Sequence, residues 1–166
     1  MILAIDTSTA ACSAALFDSS GDCIASADQQ IGRGHAERLV PMLDELLAGR
    51  RAERILVGVG PGSFTGIRVG IAAAQGLAIG WNCEIAGMSS LGLIAAGVES
   101  AGDIAAAMDG GHGELFVQQF SRDGAVSELF NLPPEQAAQC IDAQLVVGPA
   151  AQRLVGARGS GEAIPA

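Results

Sequence analysis

The feature that most constrains the fold is an apolar strand that leads through a glycine-rich turn into a helix of small residues. Ile55–Val59 (ILVGV) is apolar throughout, which favours a central strand that lies parallel to a neighbour. The turn is Gly60–Gly66, and the helix is predicted over Thr65–Ile79. Four small residues share one face of this helix at a spacing of four: Gly66, Gly70, Ala74 and Ala78. A helix that is small or apolar almost all round is buried on more than one side.

Two kinds of element could cover the second side of this helix. Its other face carries Ile67, Ile71 and Leu77, and both faces need a neighbour. One alternative is that the chain's own first helix and sheet cover the helix. The other alternative is that an element of another chain packs against the small residues. The sequence pattern leaves both alternatives open.

The segments before and after this helix predict an α/β lobe. Three strands open the chain, at Ile2–Ile5, Cys12–Phe17 and from Cys23 to Ala27, with a hairpin turn before the third. An amphipathic helix is predicted over His35–Leu47, which ends at Gly49. A further strand at Glu84 to Gly87 and a helix from Ser89 or Ser90 to Ala96 complete a first lobe, residues 1–99.

A second, smaller lobe is predicted over residues 100–166, because the composition shifts near Gly97 to Gly102. Its first strands are expected at Ile104–Met108, Glu114–Phe120 and Ala125–Leu129. A short helix follows near Glu135–Cys140, and then a strand at Leu145–Val147. We expect the glycine-rich tail from Gly156 onward to be loose.

Charge and composition restrict the chemistry. The chain has a net charge of -9, nine Arg and no Lys, so a P-loop lysine, a Schiff base and a lysine general base are excluded. A protein that binds duplex nucleic acid or tRNA without a partner usually carries a basic face. With only 4% aromatic residues, it is also poorly suited to stack single-stranded bases. A protein partner, preferably basic, is therefore more plausible than direct binding to nucleic acid.

The compartment is predicted to be the cytoplasm. The four cysteines form no CxxC pair, so we expect small buried thiols in a reducing environment: Cys12, Cys23, Cys83 and Cys140. Met1 leads directly into a strand-like run, with no signal peptide. The apolar stretch Val69–Trp81 is too short to span a bilayer.

Two turns are candidate phosphate sites. The turn Asp6–Thr9 follows the first strand, where Asp6, Thr7 and Ser8 can contact a phosphate or a metal-bound water. Asp109 opens a comparable turn in the second lobe. The structural alternative for the first turn is one that only ends the strand. The loop Gly60–Gly66 likewise either attracts an anion or needs its glycines for close packing.

The two histidines show no local metal-binding pattern. His35 and His112 are far apart in sequence, and neither lies in an HxxxH or HExxH pattern. We therefore expect each of them to have a capping or loop role. The same spacing leaves no Ser–His–Asp set that can be assigned for nucleophilic catalysis.

Four segments resemble the bacterial TsaB (YeaZ-like) family. They are ILAIDTSTAACSAAL (Ile2–Leu16), GHAERLVPMLDELL (Gly34–Leu47), GVGPGSFTGIRVGIAAAQGLA (Gly58–Ala78) and AGMSSLGLIA (Ala86–Ala95). The resemblance covers about the first 95 residues, whereas the second lobe is similar in layout only. It implies an actin/Hsp70/sugar-kinase (ribonuclease H-like) fold with two lobes.

The resemblance also implies a role in forming N6-threonylcarbamoyladenosine in tRNA, next to the anticodon. In that family the protein is an inactive relative of the catalytic subunit TsaD. The family protein pairs with TsaD through its own N-terminal helices, and the ATPase TsaE joins the complex. ATP or ADP is then expected in the complex, with no cofactor held by this chain alone, and tRNA is contacted only indirectly. Self-pairing into a homodimer is also expected. The candidate interface residues are His35, Leu39, Leu43, Gly66, Arg68, Gly70 and Ala74.

The resemblance further implies lost catalysis. The catalytic relatives carry an HxxxH metal pair at the start of the third helix, and the matching positions here are Ser90 and Ile94. Neither side chain replaces imidazole as a ligand of a transition metal. Family members also have an Asp-Ala-Arg-type turn where this chain has Asp109–His112, and they continue into further C-terminal elements. The resemblance therefore implies that the second lobe of this chain is short or truncated at its C-terminal end. The alternatives are an ATP-binding phosphotransferase that uses Asp6–Thr9 and Asp109–Gly111, and more remotely a metalloprotease.

Overall fold

The computed structural model describes residues 1–165, which divide into two compact units. The first unit is Met1–Ser90, and the second begins at Leu91. The division lies nine residues before the boundary expected from the sequence. The reason is that Leu91 and Ala95 pack into an apolar cluster with later residues such as Ile104.

The first unit is built on a five-stranded mixed sheet. Its strands are β1 (Ile2–Asp6), β2 (Ala11–Phe17), β3 (Cys23–Gln30), β4 (Arg54–Gly58) and β5 (Glu84–Met88). The strand order is β3-β2-β1-β4-β5, with β1, β2 and β3 antiparallel and β4 and β5 parallel to β1. This is the order expected for a ribonuclease H-like lobe.

Two helices share one apolar core with this sheet. They are α1 (His35–Leu47) and α2 (Phe64–Trp81). Leu3, Leu39 and Ile55 from three different elements are fully buried in one cluster. Burial of each such side chain contributes about 1.5–3 kcal/mol to stability. The helix α1 has the bounds predicted from its apolar periodicity.

The second unit repeats the strand order of the first. Apart from Ser90, which ends the first unit, it contains α3 (Ser90–Ala96), β6 (Ile104–Asp109), β7 (Leu115–Ser121), β8 (Gly124–Ala125), β9 (Phe130–Leu132), α4 (Pro134–Cys140), β10 (Leu145–Val147), α5 (Ala151–Arg158) and β11 (Glu162–Ile164). The sheet order is β11-β10-β6-β7-β8, and β9 also pairs with β7. β10 lies parallel to β6, and β11 lies parallel to β10.

Two expectations for the second unit were wrong. Of the strand predicted at Ala125–Leu129, only Ala125 lies in a strand, at the end of β8, and β9 begins after the predicted range. Between the two strands, the Ser127 hydroxyl accepts a hydrogen bond from the backbone N–H of Gln119 at 2.9 Å in place of ladder pairing. The tail from Gly156 is not loose over the described residues. Gly159 and Gly161 adopt φ values of 73° and 110°, which form the turn that returns the chain to β11.

The cysteines differ in exposure, contrary to the expectation that all four are buried. Cys12 is buried, whereas Cys23 and Cys140 are exposed, and all four are free thiols. Burial raises the pKa of the Cys12 thiol above its ordinary value; Arg38 acts to lower this pKa and Asp28 to raise it. No helix within residues 1–165 is long and apolar enough to cross a membrane.

Candidate functional site

The hydroxyls of the turn after β1 are used within the chain. Oδ1 of Asp6 accepts hydrogen bonds from the backbone N–H of Ser8 at 2.8 Å and from the Ser8 hydroxyl at 2.6 Å. The Thr7 hydroxyl donates to the carbonyl oxygen of Gly66 at 2.7 Å. Thr7 and Ser8 are both buried. In this structure the turn therefore ends β1 and is attached to α2 by the Thr7 hydrogen bond.

Glycines surround this turn because a side chain at those positions would collide with it. The four positions are Gly58, Gly62, Gly66 and Gly70. A Cβ at Gly58 would overlap the Asp6 carboxylate, and one at Gly62 or Gly66 would overlap the backbone of Ser8 or Thr7. At Gly70 it would lie 2.5 Å from the Thr7 hydroxyl oxygen, well inside contact distance. Gly62 and Gly66 of the loop therefore allow close packing of backbone on backbone, whereas Gly58 and Gly70 leave space for side chains of the turn.

Ser90, the first residue of α3, is part of the same network. Its hydroxyl donates to Oδ2 of Asp6 at 2.8 Å, and its backbone N–H donates to the carbonyl of Gly60 at 3.0 Å. Ile94, the second position where the resemblance expects imidazole in catalytic relatives, packs against the apolar cluster of the second unit. Within the described part of the chain, no three His, Cys, Asp or Glu side chains are grouped so as to hold a metal ion.

Asp109 and His35 make contacts within the chain, and His112 lies in a turn. The carboxylate of Asp109 forms an ion pair with Arg153, which also donates to the carbonyl of Gly113 at 2.8 Å. Nε2 of His35 lies 3.0 Å from the carbonyl oxygen of Thr9, so His35 attaches α1 to the turn after β1. His112 lies in the turn after β6 with a positive φ of 58°.

Most of the predicted interface residues face the core of the first unit. His35, Leu39, Gly66, Gly70 and Ala74 are all buried there. The chain's own sheet therefore covers the small face of α2, which is the first of the two alternatives left open by the sequence. The remaining two differ: Leu43 is buried but lines a surface groove, and Arg68 is exposed with its guanidinium 3.6 Å from the centre of the Phe64 ring.

An apolar groove of about 530 Å³ lies between α1 and α2. We call it the α1–α2 groove, and its apolar lining is Val40, Leu43, Leu47, Ala73, Leu77 and Trp81. The Val40 side chain is 64% exposed although it is aliphatic. A groove of this kind on a helical pair is suited to receive a helix of another chain.

The exposed side of α2 carries a second set of small residues. Ala72, Gly76 and Gly80 recur every four residues on this side, and all three are exposed. A Cβ at Gly76 or Gly80 would meet nothing within 4 Å, so these positions leave room for close approach of another backbone. Next to them Ile79 is 83% exposed. The sequence therefore contains small residues at a spacing of four on this exposed face as well as on the inner face.

Known proteins similar to this chain place it in a family. The family described as "TsaD: tRNA N6-adenosine threonylcarbamoyltransferase" matches residues 27–141. The structure of YeaZ from Pseudomonas aeruginosa superposes with a TM-score of 0.80 at 32% identity, over 99% of this chain and 82% of that one. This chain belongs to the TsaB/YeaZ family. Its two lobes accordingly have the actin/sugar-kinase-like fold that the resemblance implied.

The curated TsaB relatives are longer than this chain. The tRNA threonylcarbamoyladenosine biosynthesis protein TsaB of Escherichia coli is 38% identical over 131 residues, which is 74% of this chain and 55% of the relative. The Haemophilus influenzae protein of the same name is 36% identical over 77% of this chain and 57% of its own length. The chain thus spans somewhat more than half the length of these two TsaB proteins.

Proposed function

We propose that this chain is a non-catalytic pairing subunit of the complex that forms N6-threonylcarbamoyladenosine in tRNA, where it activates a TsaD-type catalytic subunit. Its TsaB relatives are named for this biosynthesis, and the matching family is named for the transferase. The observation that carries the proposal is the exposed α1–α2 groove. It offers apolar surface to a helix of another chain.

The α1–α2 groove and the exposed side of α2 next to it support pairing, because both leave surface exposed that close packing would bury. Val40 and Ile79 expose aliphatic surface to solvent, and burial of such surface stabilises an interface by about 25 cal/mol per Å² before binding costs. Gly76 and Gly80 leave space for a partner helix to come near. We propose that the catalytic subunit occupies this face. The inner face of α2 packs on the first unit and so keeps the helix in position for this contact.

The absence of catalysis is supported by what occupies the metal-binding positions of the catalytic relatives. Ser90 donates its hydroxyl proton to Asp6, and Ile94 packs in an apolar cluster. Both side chains therefore have structural roles, and neither is a metal ligand of the usual kinds. In the proposed complex, the chemistry of threonylcarbamoyl transfer belongs to the partner.

The other members of the proposed complex follow from charge and from the family. With a net charge of -9, this chain is expected to contact tRNA only through its partners. A TsaE-type ATPase joining the pair would supply nucleotide hydrolysis, and ATP or ADP would bind in the complex. Self-pairing of this chain in the absence of its partner is part of the proposal.

A pair of matched variants tests the proposal. Gly76→Arg places a long charged side chain in the α1–α2 groove, whereas Gly102→Arg places the same side chain at a glycine with equally open surroundings in the second unit. Binding to the TsaD-type subunit of the same organism is measured by calorimetry. Gly102→Arg should bind like the unmodified chain, and Gly76→Arg should lose at least about a hundredfold in affinity. Equal binding by both variants would refute the proposed interface.

A further inference from the structure

The turn after β1 is hydrogen-bonded to the start of each helix that forms the α1–α2 groove. The Thr7 hydroxyl donates to the carbonyl oxygen of Gly66, in the first turn of α2, at 2.7 Å. Nε2 of His35, the first residue of α1, lies 3.0 Å from the carbonyl oxygen of Thr9 and 3.2 Å from that of Ala11. One short turn therefore fixes the position at which both helices begin.

The contacts of His35 determine where its ring carries a proton. A backbone carbonyl only accepts hydrogen bonds, so Nε2 must have a hydrogen in order to bond the carbonyl of Thr9 or Ala11. The His35 side chain is 7% exposed, and leaving a buried polar group without a partner is costly. In a neutral imidazole this arrangement is the Nε2–H tautomer, with one N–H shared between two acceptors.

The start of α1 depends on His35 more than the start of α2 depends on any one side chain. The N-cap of α1 is Gly34, which has no side chain that could bond the first turn. The N-cap of α2 is Ser63, whose hydroxyl accepts from the backbone N–H of Gly66 at 3.2 Å, in addition to the contact of Thr7. Arg38 of α1 also bonds Gln29 of β3, but its side chain is exposed. The buried side-chain hydrogen bond at the start of α1 is therefore that of His35.

The far end of the groove lies one helix length away from this turn. His35 and Leu47 are the two ends of α1, and at 1.5 Å per residue they are about 18 Å apart. Leu47 lines the groove together with Trp81, the last residue of α2 and the single tryptophan of the chain. Because a helix moves as a stiff element, a displacement of its first residue changes its distance from a neighbouring helix along its whole length.

We propose that the turn after β1 is the common attachment point that sets the separation of α1 and α2 along the groove, and that His35 is the positioning residue for α1. His35 acts through its Nε2–H bonds to the turn. The shape of the surface that this chain offers to a partner is then set by a buried side chain that no partner touches. This inference holds for any occupant of the groove, so it can fail while the proposed function is correct.

A pair of substitutions at His35 tests the proposal. His35→Phe keeps a flat ring but has no donor, whereas His35→Gln offers an amide N–H at a similar reach. Quenching of the Trp81 fluorescence by acrylamide measures how open the far end of the groove is. His35→Phe should raise the quenching constant by at least about 1.5-fold, because α1 is no longer held at the turn, and His35→Gln should restore the value of the unmodified chain.

Two further variants separate displacement of α1 from general loosening of the chain. Ile141→Val shortens a buried side chain of the second unit, which costs about 1 kcal/mol of stability, and should leave Trp81 quenching unchanged. Thr7→Val removes the donor to Gly66 with a side chain of similar shape, so it tests the attachment of α2 even if His35→Phe does not fold. It should raise the quenching constant as His35→Phe does.

The tautomer of His35 is measured by ¹⁵N NMR of the imidazole nitrogens at about pH 8.5, where imidazole is ordinarily neutral. The chain has two histidines, and the spectrum of His35→Gln identifies the signals of His35 by their loss. We expect the proton on Nε2. A proton on Nδ1 with a bare Nε2 would contradict the hydrogen bonds to the turn and overturn the inference.

The quenching results decide the rest of the inference. Equal Trp81 quenching in His35→Phe, Thr7→Val and the unmodified chain would show that the turn does not set the groove. An equal rise in His35→Phe, His35→Gln and Ile141→Val would show general loosening, which also contradicts the proposal. Neither result involves the TsaD-type subunit, so the binding of Gly76→Arg decides the proposed function separately.

Discussion

The Thr7 hydroxyl donates a hydrogen bond to the backbone carbonyl of Gly66 over 2.7 Å and so joins the end of β1 to the first turn of α2. The backbone of Thr7 lies so close to α2 that Gly66 has no room for a Cβ. A similar restriction applies at Gly62, next to the backbone of Ser8. The glycines at these two positions therefore allow the loop and the turn after β1 to pack closely inside the first unit.

We predict that Gly66→Ala destabilises the chain. The new methyl group would overlap the backbone carbonyl of Thr7, and backbone cannot swing aside as a flexible side chain can. Overpacking of this kind costs about 3 kcal/mol, more than the gain in helix propensity from replacing glycine. Urea denaturation followed by circular dichroism measures the change in the free energy of unfolding.

Gly76→Ala is the control on the same helix. A Cβ there meets nothing within 4 Å, so the substitution should stabilise the chain by about 0.5–1 kcal/mol through helix propensity alone. A result in which both alanine variants were equally stable would contradict the packing account of the inner face of α2.

We predict that Ser90→Ala destabilises the first unit by about 1–3 kcal/mol. The substitution removes the donor to Oδ2 of Asp6, a partly buried carboxylate oxygen at the centre of the turn network. Ser19→Ala, in the exposed turn after β2, serves as the control and should leave stability almost unchanged. Thermal melts of the two variants provide the comparison, and identical melting temperatures would show that the Ser90 hydrogen bond contributes nothing.

Thiol labelling should separate the four cysteines by exposure. Cys23 and Cys140 are exposed and should react quickly with a disulfide reagent at neutral pH. Cys12 should react only after unfolding, because burial excludes the reagent and raises the pKa of its thiol, which lowers the thiolate fraction at any given pH. Cys12→Ala should leave the fast reaction unchanged. Uniform reaction of all four thiols in the folded chain would contradict the buried position of Cys12.

The isolated chain should not bind ATP and magnesium tightly. The hydroxyls of Thr7 and Ser8 are hydrogen-bonded within the chain, and Asp109 is paired with Arg153. Calorimetric titration of ATP with magnesium should therefore show no binding at micromolar concentrations, with nucleotide retained only when the partner subunits are added. A micromolar Kd for the chain alone would instead favour the phosphotransferase interpretation.

The sequence predicted the elements of the first unit well because its signals there are strong and local. The apolar positions of α1 repeat at helical spacing between Gly34 and Gly49, and its bounds are those predicted. The prediction that the tail is loose was wrong because the sequence signal there is ambiguous. Glycines indicate flexibility and tight turns alike, and only the pairing of β11 with β10 shows that Gly159 and Gly161 form a turn.

The exposed face of α2 was harder to predict because α2 has small residues at a spacing of four on two faces. Gly70 belongs to the inner set and Gly76 to the outer set, and periodicity treats them alike. The deciding fact is that β1 and its turn pack against the inner set, which is a long-range contact that no local pattern contains. The interface predicted from the sequence consists mainly of residues that face inward, such as Leu39 and Ala74.

The most direct test of the account is the rate at which the TsaD-type subunit, supplied with the TsaE-type ATPase, forms N6-threonylcarbamoyladenosine in tRNA. The rate is measured with no added chain, with this chain, and with its Gly76→Arg and Gly102→Arg variants. We predict modification with the unmodified chain and with Gly102→Arg, and only background with Gly76→Arg or with no added chain. Equal rates for Gly76→Arg and Gly102→Arg, or modification by this chain without the catalytic subunit, would contradict the account.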